Sequence, residues 1–203
     1  MKINPRRIAI VWLALLSLRA PAAIYYVAQN NANPTPPYAS WSTAATNIQD
    51  AINAASAGDE VLVTNGLYAF GGLTLSGDTP DRVCLNKPLT VQSLNGPWVT
   101  IIQGAGANNG PTAVRCAWVT NGASLNGFTL QGGATLNSAS TLSQCGGGVF
   151  CVSSNALVSN CIMTANTASA SGGGVYQGSL KNCLVTGNSA SSVGGAQLAV
   201  MTS

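Results

Sequence analysis

The strongest constraint on this chain is a 22-residue internal repeat near its C-terminal end. Residues 160–175 read NCIMTANTASASGGGV and residues 182–197 read NCLVTGNSASSVGGAQ. A unit this short cannot bury its own apolar side chains, so it is stable only when it stacks on neighbouring units. Each unit combines a few β-type residues with Gly, Asn and Ser and has no helical periodicity. The repeat therefore predicts an all-β fold, in which each unit is one coil of a parallel β-helix (a solenoid).

A third segment, residues 124–130, aligns with the two units and predicts columns of stacked side chains. The column expected to point inward contains Phe128, Cys161 and Cys183, and a second one contains Leu130, Met163 and Val185. The positions before the first column are Gly127, Asn160 and Asn182, residue types that accept a positive φ and so indicate a corner. A second corner is predicted at the glycines of 146–148, 172–174 and 194–195. The intervening column of Thr129, Ile162 and Leu184 should face outward, although two of its members are apolar.

The first 22 residues have the organisation of a signal peptide. Lys2, Arg6 and Arg7 form a basic region, residues 8–18 are apolar, and Ala20-Pro21-Ala22 is a small-x-small cleavage signal. The apolar run is shorter than the roughly 20 residues that a membrane-spanning helix needs. The sequence therefore predicts a protein that is secreted or displayed on the cell surface, with no membrane span in the mature chain.

The net charge excludes one class of partner. The formal charge is +3, but four of the eight basic residues lie in the first 20 positions, and removing them leaves four basic against five acidic side chains. Charged residues make up only 6 % of the chain. A nearly neutral surface has no basic stripe to follow a phosphate backbone, so no nucleic acid is expected as a partner.

The pattern between the signal peptide and the repeats predicts a strand, a connector and a helix. Residues 23–45 hold a short apolar strand and a Pro- and Asn-rich connector, and residues 46–203 form the predicted β-helix. A helix is expected at 46–57, with Thr46 as N-cap, Gln49 at the capping-box position and Gly58 after its end. We expect this helix to cover the first coil. The last unit has no comparable cap, which predicts further coils downstream of residue 203.

The six cysteines are more consistent with packing than with metal binding. The chain has no C-x-x-C pair and no histidine, so neither a metal site nor any cofactor is expected. Cys145 and Cys151 flank three glycines and are spaced to close a small loop. Cys161 and Cys183 would stack at the inter-strand spacing of about 4.8 Å. Because parallel side chains in such a column bridge poorly, we favour buried thiols over a disulfide there.

Two stretches resemble a known group of proteins. Residues 48–68 read IQDAINAASAGDEVLVTNGLY, which resembles the opening of secreted right-handed parallel β-helix proteins of the pectin-lyase-like class. In that class an amphipathic helix leads through Gly-Asp into the first strand. The G-G-G-V and T-x-N-x-A units resemble bacterial β-helix repeats, including the polymorphic outer-membrane type. The resemblance implies a right-handed parallel β-helix with an N-terminal capping helix.

The distribution of acidic residues disfavours catalysis of the kinds common in that class. Glycoside hydrolysis needs two carboxylates flanking the bond, and calcium-dependent elimination needs several carboxylates and a base. The five acidic residues all lie at or before Asp81. Arg115 is not expected to act as a base, because no metal ligands accompany it. The sequence therefore predicts no catalytic residue.

Five residues are candidates for ligand binding. Asp78, Asp81 and Arg82 share a polar stretch, which is interpreted either as a cation or sugar-hydroxyl site or as a solvated turn with a local Asp–Arg pair. Trp98 and Trp118, like Trp41, are interpreted either as platforms for sugar rings or as packing residues. Asp59 and Glu60, between the helix and the next strand, fit turn and cap chemistry.

These observations favour an exported, non-catalytic surface, adhesion or carbohydrate-contacting module, with a polysaccharide or cell-surface glycan as partner. Two alternatives remain open. One is the N-terminal part of a polysaccharide lyase, hydrolase or esterase whose catalytic coils lie outside this chain. The other is a purely structural passenger or spacer.

Overall fold

The computed structural model describes residues 21–75, 79–106, 109–138, 140 and 142–202. Residues 1–20, which hold most of the predicted signal peptide, lie outside this part of the chain. The described residues form one α-helix (α1, Ile48–Ala54), two short 3-10 helices (Trp41–Thr43 and Leu142–Gln144) and nineteen strands. The strands are β1 Ile24–Val27, β2 Glu60–Val63, β3 Gly66–Tyr68, β4 Asp81–Leu85, β5 Thr90–Ser93, β6 Thr100–Gln103, β7 Arg115–Val119, β8 Ser124–Asn126, β9 Thr129–Gln131, β10 Val149–Cys151, β11 Leu157–Ser159, β12 Ile162–Thr164, β13 Thr167–Ala168, β14 Val175–Tyr176, β15 Ser179–Lys181, β16 Leu184–Thr186, β17 Ser189–Ala190, β18 Ala196–Gln197 and β19 Val200–Thr202.

The strands pair in parallel in four sheets, which confirms a predominantly β chain. We call them sheet A (β1-β2-β5-β8-β11-β15-β19), sheet B (β3-β6-β9-β12-β16), sheet C (β4-β7-β10-β14-β18) and the two-stranded sheet D (β13-β17). From β2 onward the chain enters sheets A, B and C in the same order each time it returns. Consecutive strands within one sheet are therefore separated by a visit to the other sheets.

The register of the sheets matches the spacing of the sequence repeat. Met163 pairs with Leu130 on one side and with Val185, 22 residues later, on the other. The amide of Ile162 donates to Phe128 O and the amide of Leu184 donates to Cys161 O, each at 2.9 Å. These bonds place positions 128, 161 and 183 next to one another, each directly before a strand of sheet B. Phe128 and Cys161 are buried, and Cys183 is half-buried.

The core is built from alternating strand residues. In sheet A the register aligns apolar side chains on five neighbouring strands, each at most 2 % exposed: Val61, Val91, Leu125, Val158 and Leu180. Full burial of a side chain of this size stabilises a fold by about 1.5–3 kcal/mol. One such column thus contributes several kilocalories per mole before the entropic cost of folding.

Both predicted corners have backbone geometry that depends on residue type. Gly127, Asn160 and Asn182 have φ angles of 81°, 50° and 52°, in the left-handed region that glycine and asparagine tolerate best. At the second corner the residue type is restricted by the space available for a side chain. A Cβ on Gly147 would lie 2.0 Å from Thr167 O, and one on Gly148 would lie 2.4 Å from Gly174 O. Only glycine therefore allows the backbones to approach this closely.

The T-x-N motif of the repeat places a buried amide ladder next to this corner. Asn166 is fully buried, and its Nδ2 donates to Leu130 O at 2.9 Å and to Asn188 Oδ1 at 3.0 Å. Its Oδ1 accepts from Gly133 N at 2.8 Å. Asn188 in turn donates from Nδ2 to Met163 O at 2.9 Å. These side chains satisfy backbone groups where the strands end, which buried polar groups require.

The predicted helix forms, but its bounds and its N-cap differ from the prediction. The N-cap is Asn47, whose side chain accepts from Asp50 N at 2.9 Å, and Thr46 is not part of the helix. The helix ends at Ala54, before the predicted end at residue 57. Gln49 does not complete a capping box, because its amide bonds to the backbone of Cys84: Cys84 N donates to Oε1 at 2.7 Å and Nε2 donates to Cys84 O at 3.3 Å.

The first strand of each large sheet has side-chain or backbone partners along its outer edge. Gln49 bonds to β4 as above, and the amide of Gln29 bonds to Leu67 of β3 through both its oxygen and its nitrogen. In β1, Tyr26 N donates to Tyr38 O and Tyr26 O accepts from Ala45 N, each at 2.9 Å. Helix α1 packs against β1, β2 and β4. The outer edges of β1, β3 and β4, which could otherwise pair with a strand of another molecule, thus already have hydrogen-bond partners.

Within the described ranges, no helix is both long and apolar enough to cross a membrane.

Candidate functional site

Three aromatic side chains form a column across neighbouring strands of sheet C. Phe150 pairs with Trp118 on one side and with Tyr176 on the other. Val149 and Cys151, which flank Phe150, belong to the hydrophobic core. Because side chains alternate along a strand, Phe150 points to the opposite, outer face of the sheet. We refer to Trp118, Phe150 and Tyr176 as the aromatic column.

The column forms the floor of a groove on the outside of sheet C. The rings of Phe150 and Tyr176 stack with centroids 5.3 Å apart and an interplanar angle of 16°. Leu142 and Val152, which are 46 % and 41 % exposed, and Gln177 complete the lining. The groove measures about 200 Å³, which is smaller than a pocket that encloses a drug-sized molecule. It is therefore suited to surface contact with part of a larger ligand.

Gln177 brings an amide to the edge of the column. Its φ is 60°, and its backbone N donates to Gln197 O at 2.7 Å. With the amide oriented to donate, its nitrogen lies 3.1 Å from Cys151 O and 3.2 Å from Val152 O. The side chain is thus held against the strand that carries Phe150, so the groove combines aromatic side chains with a positioned polar group. Phe150 itself is only 5 % exposed, and Trp118 and Tyr176 on either side of it are half-buried.

An arginine supports the column at Phe150. The guanidinium carbon of Arg115 lies 5.2 Å from the centroid of the Phe150 ring. Arg115 is 1 % exposed, and its Nη1 donates to Asp81 Oδ1 at 2.6 Å. Nε and Nη2 donate to three backbone carbonyls, those of Leu142, Cys145 and Gly146. A cation held in this way fixes the ring above it.

Asp81 is a buried acid, and only one of its two carboxylate oxygens accepts a hydrogen bond. It is fully buried, and its Oδ2 has no hydrogen-bond partner. Burial raises the pKa of Asp81 to about 6, against the lowering effect of the Arg115 charge and hydrogen bond. The carboxylate therefore forms part of the support for Phe150 and does not face the groove as a solvated ligand.

The interpretation of the Asp78–Arg82 stretch as a solvated turn with a local Asp–Arg pair is wrong for Asp81. β4 begins at Asp81, and its ionic partner is Arg115, 34 residues later on β7. Arg82 is half-buried and donates to two backbone carbonyls, Gly71 O at 2.7 Å and Gln103 O at 2.8 Å. Because β4 pairs with β7, Asp81 contacts Arg115, whereas the adjacent Arg82 bonds to backbone carbonyls elsewhere. Asp78 lies outside the described residues.

The tryptophan candidates occupy three different surroundings. Trp118 is half-buried in the aromatic column. Trp98 is 80 % exposed in the loop before β6 and lies beside the outer face of sheet B. Trp41 is 42 % exposed and packs edge-on against Tyr26, with ring centroids 4.5 Å apart. The structure thus does not bring Trp98 and Trp118 to one sheet.

Asp59 has a structural role, because its carboxylate accepts hydrogen bonds from two backbone amides. It accepts hydrogen bonds from Ser56 N at 2.7 Å and Ala23 N at 2.9 Å, which hold the pKa of this carboxyl below its usual value. Glu60 lies in β2 and pairs with Ile24 and Thr90.

No group of three or more potential metal ligands occurs among the residues that the structure covers.

All six cysteines are free thiols. Burial raises the pKa of Cys161 to about 12 and also raises that of Cys183.

The sequence reasoning missed Phe150 and Tyr176. Each directly follows a G-G-G-V unit, so the two aromatic residues occupy equivalent positions in the repeat. Trp118 lies in an earlier segment without the glycines, and only the strand register aligns it with the other two.

No protein-family model, no curated protein and no solved structure matches this chain.

Proposed function

We propose that this chain is an exported, non-catalytic parallel β-helix that contacts a neutral polysaccharide through the aromatic column. The observation that carries the proposal is the alignment of Trp118, Phe150 and Tyr176 on three adjacent strands, beside the amide of Gln177. The exposed apolar surface of aromatic side chains packs against the C–H groups of sugar rings, and an amide bonds to their hydroxyl groups.

The constant order in which the chain visits the three large sheets supports the β-helix part of the proposal. Parallel strands joined by crossovers are right-handed in almost all known cases, so we assign a right-handed winding. The resemblance of residues 48–68 to pectin-lyase-like proteins points the same way. The proposal of export rests on the signal-peptide pattern of residues 1–22.

A polymeric ligand is favoured over a small molecule. The three aromatic residues lie on adjacent strands, which are spaced about 4.8 Å apart, and the rings of Phe150 and Tyr176 are 5.3 Å apart, so the surface is itself periodic. Leu142 and Val152 line the groove and are 46 % and 41 % exposed, so the apolar lining extends to the solvent-accessible surface. A neutral ligand is favoured because the groove is lined by aromatic, aliphatic and amide side chains.

Binding to a panel of neutral polysaccharides (cellulose, xylan and β-glucan) tests the proposal. Tyr176→Ala and Trp118→Ala should each weaken binding by about tenfold, the usual effect of removing an aromatic contact at the centre of an interface. Phe70→Ala is the matched control, because Phe70 is 79 % exposed and lies outside the column. Thermal unfolding of each variant confirms that the fold is retained.

Each other outcome has a defined meaning. Equal binding by all three variants would refute a role of the column. An absence of binding to the whole panel would favour a structural spacer. Release of new reducing ends from the polysaccharide would favour the alternative in which the chain is part of an enzyme.

A further inference from the structure

A second surface with aromatic, apolar and amide groups lies on the outer face of sheet B. Its centre is the outward column Thr129, Ile162 and Leu184, whose members pair across β9, β12 and β16. Thr129 is only 8 % exposed, and its hydroxyl donates to Pro97 O at 2.7 Å. Ile162 is half-buried, and Leu184 is 51 % exposed. The loop before β6 thus covers the first member of the column and leaves the other two accessible.

The same loop presents an exposed tryptophan at the end of these apolar residues. Trp98 is 80 % exposed. Together with Pro97, it lines one groove with Ile162 and Leu184, and the groove measures about 260 Å³. The hydroxyl of Thr129 anchors this part of the loop through Pro97 O, so the position of the ring relative to the sheet is defined.

A chain of hydrogen-bonded side-chain amides ends at this groove, where its last two members are part of the lining. Asn182 Nδ2 lies 3.4 Å from Asn160 Oδ1, Asn160 Nδ2 donates to Asn126 Oδ1 at 2.8 Å, and Asn126 Nδ2 donates to Gln92 Oε1 at 3.1 Å. Asn160 and Asn182 are exposed and also line the groove. Each NH₂ group has two donors, so one N–H of each amide stays available when the other serves the chain.

We propose that this groove, formed by Trp98, Ile162, Leu184, Asn160 and Asn182, is a second site for a neutral polysaccharide. The ligand class is that of the proposed function, whereas the residues belong to a different sheet. Ionised groups would favour a charged ligand, but the polar lining of the groove consists of asparagine amides. A tryptophan ring next to ordered amides provides one apolar and one hydrogen-bonding edge, as a pyranose ring requires.

The spacing of the amides favours a repeating ligand here as well. Asn160 and Asn182 lie at equivalent corner positions on two successive turns of the chain, about 4.8 Å apart, and Asn126 directly precedes the equivalent Gly127 on the turn before. This distance is comparable to the length of one sugar residue. A polysaccharide that runs across the strands would therefore meet equivalent amides on these two successive turns.

The test measures the affinity of the intact chain for soluble β-glucan and xylan by calorimetry, with variants in both grooves. Trp98→Ala should weaken binding by about tenfold when it is introduced into the Tyr176→Ala variant, and Asn182→Ala should weaken it less. Trp98 is exposed, so its removal should leave the thermal unfolding temperature unchanged. Phe70→Ala serves again as the control.

The two proposals fail in different ways. If Tyr176→Ala abolishes all binding and Trp98→Ala has no effect in the otherwise unmodified chain, the second site is refuted and the aromatic column stands. If Trp98→Ala reduces binding and Tyr176→Ala does not, the second site is supported and the column is refuted. An absence of binding by the unmodified chain refutes both.

Discussion

Acidification from about pH 8 to about pH 4.5 is expected to stabilise this protein through a single carboxyl, Asp81. Burial raises the pKa of Asp81 from 3.8 to about 6. A difference of roughly two pKa units between folded and unfolded states corresponds to about 3 kcal/mol in the free energy of unfolding. Because the folded-state pKa is the higher one, this stability is fully present below pH 3.8 and is lost as the pH rises through about 6.

The opposing charge of Arg115 does not cancel this effect, for a geometric reason. Arg115 bonds to only one oxygen of Asp81, and Oδ2 has no partner to stabilise its negative charge. The guanidinium also donates to the carbonyls of Leu142, Cys145 and Gly146, which offset its positive charge when Asp81 is protonated. Protonation of Asp81 therefore removes one buried charge, while Arg115 keeps its hydrogen bonds to the three carbonyls.

Urea unfolding, followed by tryptophan fluorescence at several pH values, measures this dependence. Asp81→Asn has nearly the same shape and no titratable proton, so its free energy of unfolding should change little between about pH 4.5 and about pH 8. Asp59 has a lowered pKa, so its contribution has the opposite sign and falls away only below its unfolded-state value of 3.8. A wild-type stability that rises with pH, or an equal slope in Asp81→Asn, would refute the reasoning.

Three further predictions concern stability and reactivity. Asn166→Leu removes the side-chain hydrogen bonds to Gly133 N and Leu130 O and should lower the free energy of unfolding by about 1–3 kcal/mol for each group that it leaves unsatisfied. Asn188→Leu, at the half-buried equivalent position, should cost less in the same urea titration. Gln49→Leu removes both side-chain hydrogen bonds to the backbone of β4 and should lower the free energy of unfolding by about 2–4 kcal/mol and promote aggregation. Urea unfolding and light scattering measure the two effects, and unchanged values would contradict the role of Gln49 at the edge of the sheet. Iodoacetamide should modify Cys183 in the native protein before the buried Cys161, as mass spectrometry of peptides will show, and equal rates would contradict the packing described here.

The repeat was sufficient to predict the β architecture and much of the register. The 22-residue offset of the sequence is the offset at which Met163 pairs with Val185. The corner at Asn160 and Asn182 was also predictable, because a positive φ restricts the residue type at that position alone. Such features depend on local chemistry or on a short period, and both can be read from a linear chain.

The candidate surfaces were only partly predictable. Trp98 and Trp118 were identified as aromatic candidates, but their residue type carries no information about which sheet each belongs to. The outward apolar residue Leu184 had no explanation from sequence, and it becomes intelligible only beside the loop that carries Trp98. Phe150 and Tyr176 were visible as equivalent positions after G-G-G-V, although their alignment with Trp118 required the strand register.

What the sequence determined by itself is the repeating unit: its β character, its corners and the period at which it stacks. What the tertiary structure decided is which distant groups meet, such as Asp81 with Arg115 and Gln49 with Cys84. The physical reason lies in the early part of the chain, where Glu60 pairs with Thr90 and Thr90 pairs with Ser124, offsets of 30 and 34 residues. Loops of unequal length shift the register there. Which residues pair on neighbouring strands therefore depends on packing and burial across the whole fold and cannot be derived from a periodic pattern.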